Sequence, residues 1–357
     1  MSEHGNRPVI LARYLALAWC GLIAYASLHP FSGWRDNGVS PWAFLEADWP
    51  RYWTVFDLLS NVAVYLPLGF FLTLALCRLP WRFTAPVLAV VLTAGVSLSL
   101  EVLQNWLPSR ISSNLDVGCN TLGGLAGAVW AHIVGPRVFG RLEALAQRLL
   151  APVPHAELGL TLLGLWMIVP LSPETLLFGA GDLRQLFTLT PAIPFSVDRF
   201  ALIEAGIAAC NAVAVGLILG QLLARTWIAY FIVPLFLLGG LAIRTLGAAV
   251  LIGPEEAMAW LTPGAQQGLL IALSVLALTL WLPTRAGMLL AALALIGGTV
   301  LVNLAPANPY SAVALATWRQ GHFLNFNGLT RVVASLWPFI ALPFLLLTLR
   351  GPQVRST

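Results

Sequence analysis

Ten apolar stretches, each long enough to cross a lipid bilayer as a helix, dominate this chain. They run over roughly 10–29, 56–78, 85–104, 115–135, 158–178, 201–224, 226–250, 266–283, 286–306 and 332–349. A helix needs about 17–25 apolar residues to cover the hydrocarbon core. Polar residues collect between these stretches, and only 10% of the 357 residues are charged against 59% hydrophobic. The sequence therefore predicts an all-α, polytopic transmembrane helix bundle of about ten spans. The stretch at 158–178 is interrupted by Pro170 and Pro173. The first stretch follows Arg7 and Arg13, and Ala24-Tyr25-Ala26 imitates a cleavage site. Its length favours an uncleaved span.

Every basic residue is arginine, and there are 19. With the N-terminus placed inside, eleven fall in cytoplasmic segments and seven outside, with Arg244 inside a span. Arginine excess in short cytoplasmic loops favours both termini inside. No basic patch interleaves with aromatics, so nucleic acid is not an expected partner. Cys20, Cys77, Cys119 and Cys210 lie in the apolar stretches without CxxC spacing, which argues against disulfides and zinc. No cofactor or metal is expected. Residues 136–150 are basic and roughly amphipathic, suited to the cytoplasmic membrane surface. This divides the chain into a four-helix membrane domain at 1–135, a linker at 136–155 and a second block of about six helices at 156–357.

The charges that do enter the apolar stretches form a pattern. Asp57 and Asn61 open the second span, four residues apart and so on one helix face. Ser97, Glu101 and Gln104 end the third span on one face, and Asp116 and Asn120 open the fourth. The alternating direction of successive spans brings all three polar faces to one depth, near the outer leaflet. Asp57 and Asp116 suit the first turn of a helix, where the macrodipole favours an anion, and Asn114 or Asp116 is placed to cap the fourth span. Glu101 lies near a helix C-terminus, where an anion is disfavoured, and Arg110 is its nearest partner in sequence. Ionisable groups at such depth point to function. The candidate ligand-binding cluster is Asp57, Asn61, Glu101, Gln104, Arg110, Asp116 and Asn120. Gly123 and Gly127 form a small-xxx-small face for close helix approach. Pro67 frees a backbone carbonyl near Ala63 and can kink the second span.

These elements together resemble the VanZ-like family of bacterial membrane proteins. The resemblance rests on Ser27-Leu28-His29-Pro30-Phe31, on Asp57 and Asn61 running into Tyr65-Leu66-Pro67-Leu68-Gly69, on Glu101, Gln104, Pro108 and Arg110, and on Asp116, Asn120, Gly123 and Gly127. It covers about residues 14–135. It implies an integral protein of the cell envelope and an association with low-level antibiotic resistance, to teicoplanin. It implies no particular reaction. Some members carry Lys-x-x-His beside the acid of the second span, whereas Leu58-Leu59-Ser60 follows Asp57 here.

In the second block, Asn211-Ala212-Val213-Ala214 with Leu217-Ile218-Leu219-Gly220 faintly echoes 61–69, a pattern that Ala/Leu-rich helices also produce by chance. Residues 307–331 mix aromatics with arginines, as an aromatic belt or an outer re-entrant segment would. Glu204 and Arg244 are placed to pair or to mark a second polar site. The chain has no HExxH, GxSxG or Walker loop. Three functions follow. The first is lipid binding: the cluster holds the polar head of a membrane lipid or lipid-linked glycan, with Arg110 suited to a phosphate. The second is an enzyme acting on a lipid-linked substrate, with Glu101 and Asp116 as acid and base. The third is a secondary transporter.

Overall fold

The computed structural model describes residues 7–50, 52–79, 83–172, 175–187, 193–306 and 324–350. It is all-helical, with no strand among the described residues. The helices are α1 (Arg7–Leu28), α2 (Ala43–Glu46), α3 (Val55–Ala75), α4 (Thr84–Gln104), α5 (Asn114–Leu149), α6 (Ala156–Trp166), α7 (Arg184–Phe187), α8 (Val197–Leu222), α9 (Thr226–Leu251), α10 (Pro263–Thr279), α11 (Thr284–Leu304) and α12 (Leu324–Arg350). Eight are long and apolar enough to cross a membrane, and this is a multi-pass membrane protein. The other two apolar stretches form α6, of 11 residues, and α10, of 17. The chain divides into two compact units, Met1–Ala146 and Gln147–Thr357.

In the first unit α1, α3 and α4 pack on one another. Ile23, Leu28, Tyr65, Leu68, Leu100 and Leu107 form one buried core cluster, and Ala12, Leu74, Ala75 and Ala131 another. Pro67 has no N–H for the carbonyl one turn earlier and crowds it. In that same turn the Trp19 indole of α1 donates to the Val64 carbonyl at 2.8 Å. The glycines of α5 set how closely α3 and α4 approach. A Cβ on Gly123 would meet the Val62 carbonyl at 2.3 Å, and one on Gly124 the Thr93 side chain at 2.5 Å. Helix α5 continues without interruption from the apolar stretch through residues 136–149.

In the second unit α8 is central, buried on nearly every side from Glu204 to Leu222, and it packs on α6, α9, α10 and α11. The stretch expected as a span at 158–178 is different. Its helix stops at Trp166, and a 3₁₀ turn follows at Val169–Leu171. Leu177, Phe178 and Ala180 are then buried without being helical. Irregular backbone inside a membrane protein must find hydrogen bonds within the protein, and it does here. Arg244 donates to the carbonyls of Ser172 and Thr175. Asn303 donates to the Gly181 carbonyl at 2.7 Å and accepts from the Leu183 amide at 3.0 Å. Glu204 forms its side-chain hydrogen bond with Thr262, so it and Arg244 serve separate segments instead of pairing. The belt or re-entrant segment expected at 307–331 lies, for residues 307–323, outside the described residues.

Candidate polar site of the first unit

Helix α3 begins with a reciprocal cap. Thr54 and Asp57 stand at the N-cap and N3 positions, where a hydroxyl and a carboxylate can satisfy each other's backbone donors. The Asp57 amide donates to the Thr54 hydroxyl oxygen at 3.1 Å. The Thr54 amide and hydroxyl both donate to Asp57 Oδ2, at 3.0 and 2.7 Å. One turn further on, Asn61 donates through Nδ2 to Asp116 Oδ1 at 2.8 Å. This bond joins the start of α3 to the start of α5.

Glu101 is only 4% exposed near the end of α4. A carboxylate there faces the negative end of its own helix dipole. The compensation comes from the next helix. The chain turns back over 105–113, and the Ser113 amide at the threshold of α5 donates to Glu101 Oε2 at 2.8 Å. The Ser112 hydroxyl donates to the Glu101 carbonyl at 2.7 Å. Glu101 therefore sits at the positive end of α5. The Ser113 hydroxyl caps α5 by accepting the Asp116 amide at 3.3 Å; this corrects the expectation that Asn114 or Asp116 is the cap. Asn114 instead donates to the Ala47 carbonyl at 2.7 Å.

Deeper in the bundle, Asn120 of α5 donates to the Ser97 hydroxyl of α4 at 2.9 Å. Ser97 also shares a side-chain hydrogen bond with Tyr65 of α3. One polar chain thus links three helices. The Asn120 Oδ1 is buried with no partner among the described residues, an uncommon condition for a buried amide.

Gln104 and Arg110 face elsewhere. Gln104 donates to the Ser27 carbonyl at 3.0 Å. Arg110 donates through Nη2 to Ala26 and His29 carbonyls at 2.8 and 3.0 Å, and through Nε to His29 at 3.2 Å. These are the orphan carbonyls at the end of α1, where a cation also suits the dipole. Burial lowers the Arg110 pKa, and the nearby Glu101 charge opposes this. The expected Glu101–Arg110 partnership is therefore a charge acting through space, not an ion pair. Each group has its own backbone partner.

Of the seven candidates, the structure joins Asn61 to Asp116 directly and places Asp57 one turn from Asn61. It links Asn120 to the same helices through Ser97. Glu101 reaches α5 through a backbone amide, and Gln104 and Arg110 clasp α1. Reading the sequence missed Tyr65 and Ser113. Ser113-Asn114-Leu115-Asp116 carries the spacing of a capping box, and that signal was available. Among the described residues, no group of three His, Cys, Asp or Glu side chains could hold a metal ion.

This geometry can be set beside known proteins. Residues 13–135 match the VanZ/LLP1 family model. No curated protein and no solved structure matches the chain. The VanZ-like segment thus contains all seven candidate residues and ends where the apolar part of α5 does.

Proposed function

We propose that the VanZ-like segment holds the polar head of a lipid or lipid-linked glycan where α3 and α5 begin. The observation that carries this reading is Asp116. Its Oδ1 is fixed by Asn61, the residue is only partly buried, and among the described residues no donor meets Oδ2. Asp57 lies one helical turn from Asn61 with its Oδ2 taken up by Thr54. Two carboxylates with one amide form an acceptor-rich mouth, suited to sugar hydroxyls or a primary amine. Arg110 is removed from this role, because its donors hold α1. With both termini cytoplasmic, the mouth opens to the outer leaflet of a bacterial inner membrane. The teicoplanin resistance associated with the family would then arise from altered display of an envelope lipid. The acid–base alternative is weakened by the engagement of Glu101 with the Ser113 amide.

The test is mass spectrometry of lipids retained by the gently purified full chain and by Asp116→Asn. The variant keeps an acceptor for Asn61 and loses the charge. The expected result is a specific amine- or sugar-bearing lipid held by the native chain and reduced about tenfold or more in the variant, the loss of one charge-assisted hydrogen bond. The same bulk phospholipid in both samples would overturn the reading.

A further inference from the structure

The other end of the first unit carries a separate cavity. It has a volume of about 690 Å³ and lies between the end of α3, the start of α4 and the middle of α5. Leu74, Ala85, Ala131 and Phe139 wall it with apolar surface, and Cys77 and His132 are among its polar lining. Pockets of ~300–1,000 Å³ are the usual size for small ligands. On α5, His132 follows Asp116 by sixteen positions, which is about 24 Å of helix and close to the ~30 Å of a hydrocarbon core. The cavity and the polar cluster therefore occupy opposite membrane faces.

Two arginine charges lie close to it. Arg13 and Arg78 are both exposed, and both positive charges reach the Cys77 thiol. Arg13 follows Ala12, which packs in the same buried cluster as Leu74 and Ala131. His132 of α5 faces the start of α4, its ring 5.4 Å from that of Phe83. An apolar slot at a membrane face, with two arginine charges acting on its Cys77 wall, suits one occupant, a lipid with an anionic head. Basic pockets between membrane helices bind such heads. We infer that this cavity is a binding site for an anionic phospholipid, with an acyl chain along Leu74, Ala85, Ala131 and Phe139 and the phosphate at Arg13 and Arg78. The site is independent of the Asp116 mouth and belongs to the opposite leaflet.

Cys77 is an exposed thiol lining the cavity, so its alkylation reports occupancy. The full chain in detergent is treated with a soluble maleimide in the presence of phosphatidylglycerol or of phosphatidylcholine with the same acyl chains. Modification of the Cys77 peptide is followed by mass spectrometry. Phosphatidylglycerol should slow the reaction roughly tenfold more than phosphatidylcholine, given two arginines beside an anionic head. The Arg13→Gln/Arg78→Gln double variant should abolish this difference, and Asp116→Asn should leave it intact. Gly135→Leu gives a second check, because a Cβ there already meets Leu74 at 2.9 Å and the larger side chain fills the slot. It should remove protection by both lipids. Equal protection by the two lipids in the native chain, or protection by neither, overturns the inference.

Discussion

Gly127→Leu should cost the first unit about 3 kcal/mol or more, at the upper end for overpacked sites. A Cβ at Gly127 would lie 2.0 Å from the Leu66 carbonyl oxygen and 2.8 Å from the Phe70 amide nitrogen. These are backbone atoms of α3, so no rotamer change can make room. The two helices would have to separate, and with them the bond from Asn61 to Asp116 that spans the same helix pair. Helix association in membranes depends on this kind of close approach, because burial against another helix gains little over burial in lipid. Gly118→Ala is the control on the same helix. Nothing lies within 4 Å of a Cβ there, so that variant should be neutral or gain up to ~1 kcal/mol from helix propensity. Thermal unfolding in detergent separates the cases. A Gly127→Leu protein that melts with the native chain would refute the close-packed α3–α5 contact.

The Gly123/Gly127 face was legible in the sequence because spacing alone defines a helix face. The positions of the spans were legible for the same reason, as nine of the ten apolar stretches fall mainly on α-helices. What composition could not show was where an apolar stretch stops being helical. Residues 167–178 read as the rest of a span, yet the described ones form a 3₁₀ turn at Val169–Leu171 and irregular chain in which Leu177 and Phe178 are buried. A buried loop and a membrane helix demand the same apolar side chains. They differ in where the backbone hydrogen bonds go, and here those depend on Arg244 and Asn303, far along the chain. The polar site divides in the same way. Asp57 at the third position after Thr54 follows a local rule, and so does Asp116 after Ser113. Glu101 needed knowledge of a turn that brings the α5 amide back to it. The capping roles of Gln104 and Arg110 depend on carbonyls 77 to 84 residues earlier, which proximity in sequence does not reveal.

Arg110→Met should destabilise the first unit by about 3 kcal/mol, since hydrogen bonds to a charged group are each worth ~1.5–3 kcal/mol and do not add fully. The methionine keeps much of the apolar stem and removes all three bonds to Ala26 and His29. It also removes the cation at the C-terminal end of α1, worth up to ~2 kcal/mol in partly buried settings. Arg110→Lys should recover less than half, because an ammonium lacks the planar fork that reaches two carbonyls together. The measurement pairs thermal unfolding with hydrogen exchange of the 29–35 amides, including the Phe31 amide that donates to Leu28 and the Arg35 amide that donates to Trp106. Loosening should begin at this junction, where α1 gives way to the following loop. Lipid retention distinguishes the clasp from a phosphate-binding arginine. As a clasp, Arg110→Met lowers stability while the protein that remains folded keeps its bound lipid. As a phosphate ligand, the same change leaves the melting curve in place and empties the site.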